Sequence, residues 1–451
     1  MPRIPRVIRL LPLMTVLVLP TASLAQEKPT STSTPTSTPT STPTPIAAPA
    51  SEGDPLLAVR VEAARAAGLP EPIAEATGRA VTRLLAMQEG EPKAQWPYEG
   101  VYRVRGEIPV GYRIGGTAIV AMALLAAPGV EQDAPRREAI LRAAAFVVEG
   151  IEHPLMNPRY RGGYDVRGWG YAYGLRFLAR LAEKDWLAGG EPIAGPGRKA
   201  IEFYLAGLAA IEIPEVGGWN YARRGPLEQP SPAAPFMTAP CVRSLLEARR
   251  AGFEVSDELI ARGLDSLEAS RGPDGTYAYS AAEDGGVDPA SRPGAIGRMV
   301  SGDAVLLAAG RLDEEDLRRS VESFLAYWPA LDARRAKGGT HVAPYGVAPY
   351  YFMFAHGAAG EAIEMLPPPW RGTARQALLE RLMQVRAEDG TWNDRVFERS
   401  SNYGTALAID ALIAPIAAPM PRWSPPAAPP AAPTAAPTAA QDAGAESKES
   451  R

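Results

Sequence analysis

Apolar residues recur along most of this chain at the spacing of an α-helix. Five stretches carry Ala and Leu three and four positions apart: "GRAVTRLLAMQ", "REAILRAAAFVVEGI", "LRFLARLAEKDWL", "VRSLLEARRAGF" and "ARQALLERLMQV". Ala, Leu, Arg and Glu are strong helix formers, and Gly, Pro and Asp cluster between the stretches, where helices stop and are capped. Asp313 precedes "EEDLRRSVESFLAYW" and is predicted to be the N-cap of one such helix. The pattern predicts an all-α protein.

A turn that combines glycine with an aromatic residue recurs between the helical stretches. It is clearest in "AEDGTWND" and "GPDGTYAY", and looser forms are "EVGGWNYA", "KAQWPYEG", "DVRGWGYAYG" and "KGGTHVAPYG". Each interval between successive turns suits two helices, so six turns predict about twelve helices in six hairpins. The predicted structural anchors of this repeat are Trp96, Trp169, Trp219, Tyr277, Gln384, Gly390 and Trp392, with Tyr345 in the turn that lacks a tryptophan.

The residue types of this turn indicate a mechanical role. Asp-Gly permits a tight bend, because glycine tolerates positive φ. An aromatic residue two positions later can wedge between neighbouring helices and bury a large area. Gln384, one helix end earlier, can bond backbone groups that a helix terminus leaves unpaired. We therefore interpret the tryptophans as stabilising and not catalytic.

The same residues carry a family resemblance. Gln384, Gly390 and Trp392 match the Q-x5-G-x-W form of the repeat that marks squalene and oxidosqualene cyclases. The tracts "GVAPYYFMFAHGAAG" to "TALAIDAL" and "GGWNYA" to "TAPCVRSLLEARRAGFEV" are similar to exported bacterial proteins with prenyltransferase/squalene-oxidase repeats. The chain thus resembles the terpenoid-cyclase/protein-prenyltransferase superfamily over about residues 87–415. The resemblance implies an (α/α)6 toroid, with an inner and an outer ring of helices around a central cavity.

Composition divides the chain into four parts. Residues 1–25 read as a signal peptide, with arginines before the apolar run Leu10 to Pro20 and small residues, Ser23 and Ala25, before a cut near Ala25. That run is about half the ~20 residues that a membrane helix needs. Residues 26–52 are a Ser/Thr/Pro-rich linker and residues 424–451 an Ala/Pro-rich tail, both predicted to be disordered. The predicted toroid domain spans residues 53–423, and we expect an exported protein with no membrane span after cleavage.

Charge and cysteine content exclude several classes of function. The net charge is −4 without a dense basic run, so nucleic acid is not an expected partner. The single cysteine, Cys241, rules out an intramolecular disulfide and a C-x-x-C site. His153, His341 and His356 are the three histidines, which lowers the expectation of a zinc enzyme. No metal or cofactor is predicted.

The motifs that the superfamily uses for catalysis are missing from the sequence. Neither D-x-D-D nor D-D-x-x-D occurs, and Ala239 stands where a prenyltransferase holds the zinc-binding aspartate two residues before its cysteine. Val-Arg-Ser follows Cys241, so the C-G-E-Q thioester is excluded, and no P-loop or G-x-S-x-G elbow is present.

Three functions therefore stay open from the sequence. The first is a non-catalytic module that binds a ligand or partner. The second is an enzyme that uses the cavity, either on a prenyl or other lipid or, like polysaccharide lyases, on an acidic sugar chain. The third is a structural role in the cell envelope, with the linker as a tether. Residues predicted to line the cavity or its mouth are Tyr171, Tyr173, Asn220, Tyr221, Arg298, Tyr350, Tyr351, His356 and Tyr403.

Overall fold

The computed structural model describes residues 55–100, 103–160, 166–189, 192–221, 226–279 and 292–425. All of them belong to one compact unit, Ala47–Arg451. The predicted signal peptide, linker and all but the first two residues of the tail lie outside the described residues.

The described residues form thirteen α-helices, joined by turns with isolated β-bridges and no β-strand. The helices are α1 (Pro55–Ala66), α2 (Glu71–Ala86), α3 (Val110–Ala126), α4 (Ala134–Glu149), α5 (Arg167–Glu183), α6 (Ala194–Ile211), α7 (Pro235–Arg250), α8 (Asp257–Ala269), α9 (Arg292–Ala308), α10 (Glu314–Asp332), α11 (Tyr351–Met365), α12 (Pro368–Gln384) and α13 (Ser401–Ile413). The five stretches with helical spacing lie mostly in α2, α4, α5, α7 and α12, and each runs past the end of its helix. The predicted cap is also confirmed, since the Asp313 carboxylate accepts from the backbone N–H of Asp316 at 2.8 Å.

Twelve of the helices form two concentric rings. In the inner ring α3, α5, α7, α9, α11 and α13 each contact the next, and α13 contacts α3, so the ring is closed. In the outer ring α4, α6, α8, α10 and α12 each pack on the inner helix that precedes them, and α2 packs on α13. Helix α1 adds to the outside of α2. The predicted all-α, (α/α)6 toroid is therefore confirmed.

Hydrophobic patterning explains which helices lie inside. Helix α3, "VGYRIGGTAIVAMALLA", is small or apolar around most of its surface and is buried along most of its length. A helix of that composition needs protein on every side. Helix α12 buries only Leu378 and Leu382 and presents its other residues to solvent or to the edges of its neighbours. An outer helix therefore needs one apolar stripe, and an inner helix needs several.

The repeated turn joins the end of an outer helix to the next inner helix. Trp392 is fully buried, and its indole N–H donates to the Leu382 carbonyl at 2.8 Å, near the end of α12. The backbone N–H of Trp392 donates to the Thr405 hydroxyl on α13 at 3.0 Å. A Cβ on Gly404 would lie 2.4 Å from the Trp392 carbonyl oxygen, so the close approach requires glycine. The same two bonds join Trp96 to Leu84 and Thr117, and Trp219 to Leu208 and Thr238.

An Asp-Gly-Thr sequence shapes two of these turns. The Asp389 carboxylate accepts from both the N–H and the hydroxyl of Thr391, and Gly390 has a φ of 85°. Asp274 accepts from Thr276 in the same way, before the buried Tyr277. The Asp-Gly signal in the sequence therefore corresponds to a local hydrogen-bonded turn with glycine in the left-handed region.

The remaining predicted anchors differ in position. Trp169 lies in the first turn of α5 and its ring stacks on Tyr98, 5.6 Å between centroids. Tyr345 is 39% exposed. Gln384 is exposed at the end of α12, whereas Gln88, in the first repeat, is buried and donates to the Ala139 carbonyl at 2.9 Å.

The two ends of the toroid are covered differently. Long connections such as residues 87–109 and 333–350 lead into the inner helices, and short ones such as 251–256 and 366–367 leave them. We call the end where the inner helices begin the mouth. At the other end residues 414–423, the C-terminal strap, leave α13 and reach α8 and α9. There the Trp423 N–H donates to the Ala308 carbonyl and its indole donates to Asp257.

Candidate functional site

A cavity lies on the axis of the inner ring, toward the end covered by the C-terminal strap. Its volume is about 280 Å³, and all six inner helices contribute to its wall. Six strap residues also line it, namely Ala414, Pro415, Ala417, Ala418, Pro419 and Met420. Apolar side chains form much of the wall, namely Ile119, Met122, Val305, Phe354, Leu407 and Ile413.

Three arginines on one part of this wall share a single carboxylate. Arg176 and Arg180 of α5 donate to Glu247 of α7 at 2.8 and 2.7 Å, and Arg243 donates to it at 3.0 Å. Burial alone would raise the pKa of Glu247, but the three guanidiniums lower that pKa well below its usual range. Arg243 also contacts Glu361 of α11. Glu247 therefore stays ionised, and the cluster ties three inner helices together.

Asp410 of α13 lines the same cavity without a direct partner. None of the described residues donates a hydrogen bond to its carboxylate, on which only burial and nearby charges act. Burial raises its pKa, against the attraction of Arg180, Arg176 and Arg243 nearby. Tyr173 lines the cavity as well, and burial raises its pKa to about 12, so its hydroxyl stays protonated. Asp410 is thus an acceptor that the fold itself does not use.

A second polar group, the tyrosine cluster, lies at the mouth and consists of Tyr221, Tyr279, His341, Tyr350 and Tyr351. The Tyr350 hydroxyl lies 2.9 Å from His341 Nε2. The His341 ring packs edge-on against Tyr279 with centroids 4.6 Å apart, and the rings of Tyr350 and Tyr351 are 4.5 Å apart. The cluster presents several hydroxyls and one imidazole where the inner helices begin.

Arg298 is hydrogen-bonded to this cluster and to the neighbouring turn. Its guanidinium donates to the Tyr351 hydroxyl at 3.0 Å and to the backbone carbonyls of Tyr277 and Gly294 at 3.0 and 3.1 Å. The side chain is 7% exposed. The fold therefore uses the donors of Arg298 to hold Tyr351 and the neighbouring turn.

The structure brings together four of the nine residues that the sequence nominates. Tyr221, Arg298, Tyr350 and Tyr351 meet at the tyrosine cluster. The other five are dispersed. Tyr173 lines the central cavity, Tyr403 packs against Tyr98 on the mouth side, and Asn220 donates to the Pro232 carbonyl within its own loop. Tyr171 and His356 lie between the two rings.

His356 is part of the packing between the inner and the outer ring. Its Nε2 accepts from the Trp328 indole of α10 at 2.9 Å, and its Nδ1 lies 2.7 Å from the Phe352 carbonyl. Burial lowers its pKa to about 4, so the ring is neutral and Nδ1 carries the proton that it donates to Phe352. Both ring nitrogens are therefore used by the fold.

A buried carboxylate lies between the mouth and the axis. Asp394 is fully buried, and one oxygen accepts from the Met353 N–H at 3.3 Å, while the other has no partner among the described residues. Burial raises the pKa of Asp394 to about 7. Its neighbour Arg395 donates to the Tyr98 hydroxyl at 3.2 Å. An incompletely paired polar site of this kind costs stability.

Sequence reasoning did not identify the cavity charges. In the sequence, Arg176 and Arg180, like Arg243 and Glu247, are charged residues four positions apart, which is typical of an exposed helix face. The sequence carries one signal of the site, which is the apolar stretch around Asp410. Asp410 interrupts the apolar "GTALAIDALIA", and a lone charge in such a helix points to a buried polar site.

Metal sites and membrane-spanning helices each have a geometry with which the described residues can be compared. No group of three or more His, Cys, Asp or Glu within those ranges is arranged to hold a metal ion, and Cys241 is a buried free thiol of α7. No helix in the described part of the chain combines the length and apolar character that crossing a bilayer requires.

No protein-family model and no curated protein matches the sequence. Among solved structures, the Lin0763 protein from Listeria innocua is similar at 12% identity, with a TM-score of 0.43 over 75% of this chain and 96% of that one. A protein from Actinoplanes is similar at 16% identity, with a TM-score of 0.42 over 76% and 99%. A possible member of the GH105 family from Salmonella enterica serovar Paratyphi A is similar at 11% identity, with a TM-score of 0.44 over 76% and 93%. The toroid fold of this chain rests on its own closed ring of helices.

Proposed function

We propose that the protein is a non-catalytic binding module that holds a small amphipathic molecule in its central cavity. The observation that carries this proposal is the divided wall of the cavity, which is uncharged on α3 and α9 and carries charged side chains on α5, α7, α11 and α13. Ligand sites are typically apolar clefts with a few fixed polar groups that orient the ligand. Apolar ligand surface placed against this wall gains roughly 25 cal/mol per Å².

The pairing of the charges favours binding over chemistry. The Glu247 oxygens accept bonds from Arg176, Arg180 and Arg243, and the pKa of that carboxyl is held low. A carboxylate in that state is a poor proton acceptor, and it keeps the guanidiniums in fixed positions. Preorganised groups of this kind orient a bound molecule at little cost in side-chain entropy.

The proposal extends to family and location. The Asp-Gly-Thr turns before Trp392 and Tyr277 and the toroid support a place among terpenoid-cyclase-like proteins, and the N-terminal pattern ending at Ala25 supports export. Fractionation of the native host checks the second point. Protein found without residues 1–25 outside the cytoplasm is the expected result, and full-length cytoplasmic protein would contradict it.

The test of binding is to ask whether a small molecule copurifies with the exported protein. Native mass spectrometry, followed by solvent extraction, is applied to the wild type, to Ala358→Phe and to Ala206→Phe. Ala358 lines the cavity, so phenylalanine there fills it, whereas Ala206 is exposed on α6 and gives a matched control. Circular dichroism and thermal unfolding confirm that each variant is folded.

We expect the wild type and Ala206→Phe to retain an extra mass that Ala358→Phe loses. If no mass copurifies, the three proteins are titrated with short-chain amphiphiles, and the same order of binding is expected. Equal binding by the folded Ala358→Phe variant, or no binding by the wild type, overturns the proposal.

A second candidate function is catalysis at the tyrosine cluster on an acidic polysaccharide. The hydrogen bond between Tyr350 and His341 favours it, because such a pair can take the proton α to a uronate carboxylate while the glycosidic oxygen leaves and is protonated. It ranks second because such a reaction needs an arginine to neutralise the uronate carboxylate, and the donors of Arg298 already bond Tyr351 and the Tyr277 carbonyl. Incubation with polyuronates, read by the absorbance of the unsaturated product, tests it. Activity lost in Tyr350→Phe supports this function, and no product from the wild type excludes it.

A further inference from the structure

We propose that the molecule held in the central cavity is a neutral amphiphile with a hydroxyl head group, whose O–H donates to Asp410 and accepts from Arg176. This inference rests on the proposed function and names the class of ligand that the same cavity takes. It is carried by three features of the wall: an unused acceptor, unused donors beside it, and a balance of charge.

The unused acceptor is the Asp410 carboxylate. It lines the cavity from α13, and none of the described residues donates a hydrogen bond to it. Leu407 and Ile413 lie on the same wall, one turn before and one turn after it. A ligand that places a polar hydrogen at Asp410 therefore has apolar side chains on both sides for its hydrocarbon part.

The unused donors belong to the arginines of α5. Among the described residues, Arg176 donates only through Nε, to Glu247, which leaves its two terminal nitrogens available. The side chain lines the cavity and is 13% exposed. Arg176 and Asp410 line the same cavity, and the attraction of Arg180 and Arg176 opposes the rise in the pKa of that carboxyl. A hydroxyl satisfies both at once, because it has one donor and two acceptor positions.

The charges within the cavity decide against an ionic ligand. Four arginines line the cavity, namely Arg176, Arg180, Arg243 and Arg371. They are balanced by the lining carboxylates Glu361, Glu364 and Asp410 together with Glu247, which the first three arginines contact. A bound carboxylate or ammonium would add a desolvated charge that nothing in this cluster compensates, which is costly. A neutral head group adds none.

The size of the cavity limits the ligand to a short chain. At about 280 Å³ it lies near the lower end of the ~300–1,000 Å³ range of small-molecule sites. Heptanol, heptanoate and heptylammonium are therefore suitable probes, since they differ only in the head group.

The experiment measures the affinity of these three probes by isothermal titration for the wild type, Asp410→Asn and Asp265→Asn. Asp265 is 63% exposed on α8 and serves as the matched control. In the wild type and in Asp265→Asn, heptanol should bind about tenfold more tightly than either ion. In Asp410→Asn the wall becomes positive by one charge, so heptanol should weaken by about tenfold and heptanoate should bind best. Burial raises the pKa of Asp410, which means that the folded protein disfavours its charged form. Asp410→Asn should therefore melt at no lower temperature than the wild type at neutral pH.

The outcomes separate this inference from the function on which it rests. Tightest binding of heptanoate or heptylammonium to the wild type, or an unchanged order in Asp410→Asn, overturns the hydroxyl ligand but leaves a binding cavity. If none of the probes binds the wild type, the proposed function fails as well.

Discussion

Substitution of Asp394 by asparagine should stabilise the protein at high pH and not at low pH. The carboxyl is fully buried, one of its oxygens has no partner among the described residues, and burial raises its pKa from 3.8 to about 7. Asparagine keeps an oxygen that can accept from the Met353 N–H and removes the charge. The variant therefore tests the burial of this charge separately from the loss of a contact.

The magnitude follows from proton linkage. Because the folded-state pKa is above the unfolded value, the unfolded chain has released the proton between about pH 4 and pH 7 while the folded chain retains it. The wild type therefore loses stability across that window, at about 1.4 kcal/mol per pH unit, and no more above it. The free energy of unfolding of the wild type falls by about 4 kcal/mol in total. Asparagine has no carboxyl to titrate, so the variant does not lose this stability.

The assay is urea unfolding of the wild type and of Asp394→Asn at pH 4 and pH 8. Asp265→Asn, at a 63% exposed aspartate, is the control and should show little change between the two. We expect the free energy of unfolding of Asp394→Asn, relative to the wild type, to rise by about 4 kcal/mol from the lower to the higher pH. A difference that stays constant with pH would refute the burial of this charge.

Two other substitutions test the repeat and the strap. Trp392→Phe removes the indole bond to Leu382, whose carbonyl still accepts from the Val385 N–H at 3.3 Å, so unfolding should cost about 0.5–1.5 kcal/mol less, whereas Trp370→Phe at a 40% exposed site should change little. Equal effects in urea unfolding would contradict the structural role of the repeat. Trp423→Ala removes the bond to Asp257 that holds the C-terminal strap, so exchange of bound heptanol, measured by NMR line shape, should accelerate. Unchanged exchange would show that the strap does not control access to the cavity.

Local chemistry made the fold predictable from the sequence. Asp-Gly turns such as Asp389-Gly390 depend on neighbours in the chain, and so does the capping of a helix by Asp313. The apolar stretches Thr117–Leu125 and Thr405–Leu412 lie on α3 and α13 of the inner ring. Both stretches follow a repeated turn, and α3 is small or apolar around most of its surface, unlike the outer helix α12.

The site was less predictable, because it depends on which side of a helix faces the axis. An inner helix is buried on several sides, so its spacing does not distinguish the axis from the outer ring. His356 and Arg176 illustrate the difficulty: each lies on an inner helix, but His356 contacts α10 of the outer ring and Arg176 lines the cavity. His341 lies in a loop, and its contact with Tyr350 depends on the conformation of that loop. Hydrophobic periodicity does not predict loop conformation.

The most direct test of the account is a crystal structure of the protein soaked with bromoheptanol, with the bromine located by its anomalous scattering. We predict one bromine position among the apolar side chains of the central cavity, near Met122 and Leu407, with the hydroxyl at Asp410. Bromine found only at the tyrosine cluster, or an empty cavity under conditions where binding is measured in solution, would contradict the claim that the toroid holds its ligand on the axis.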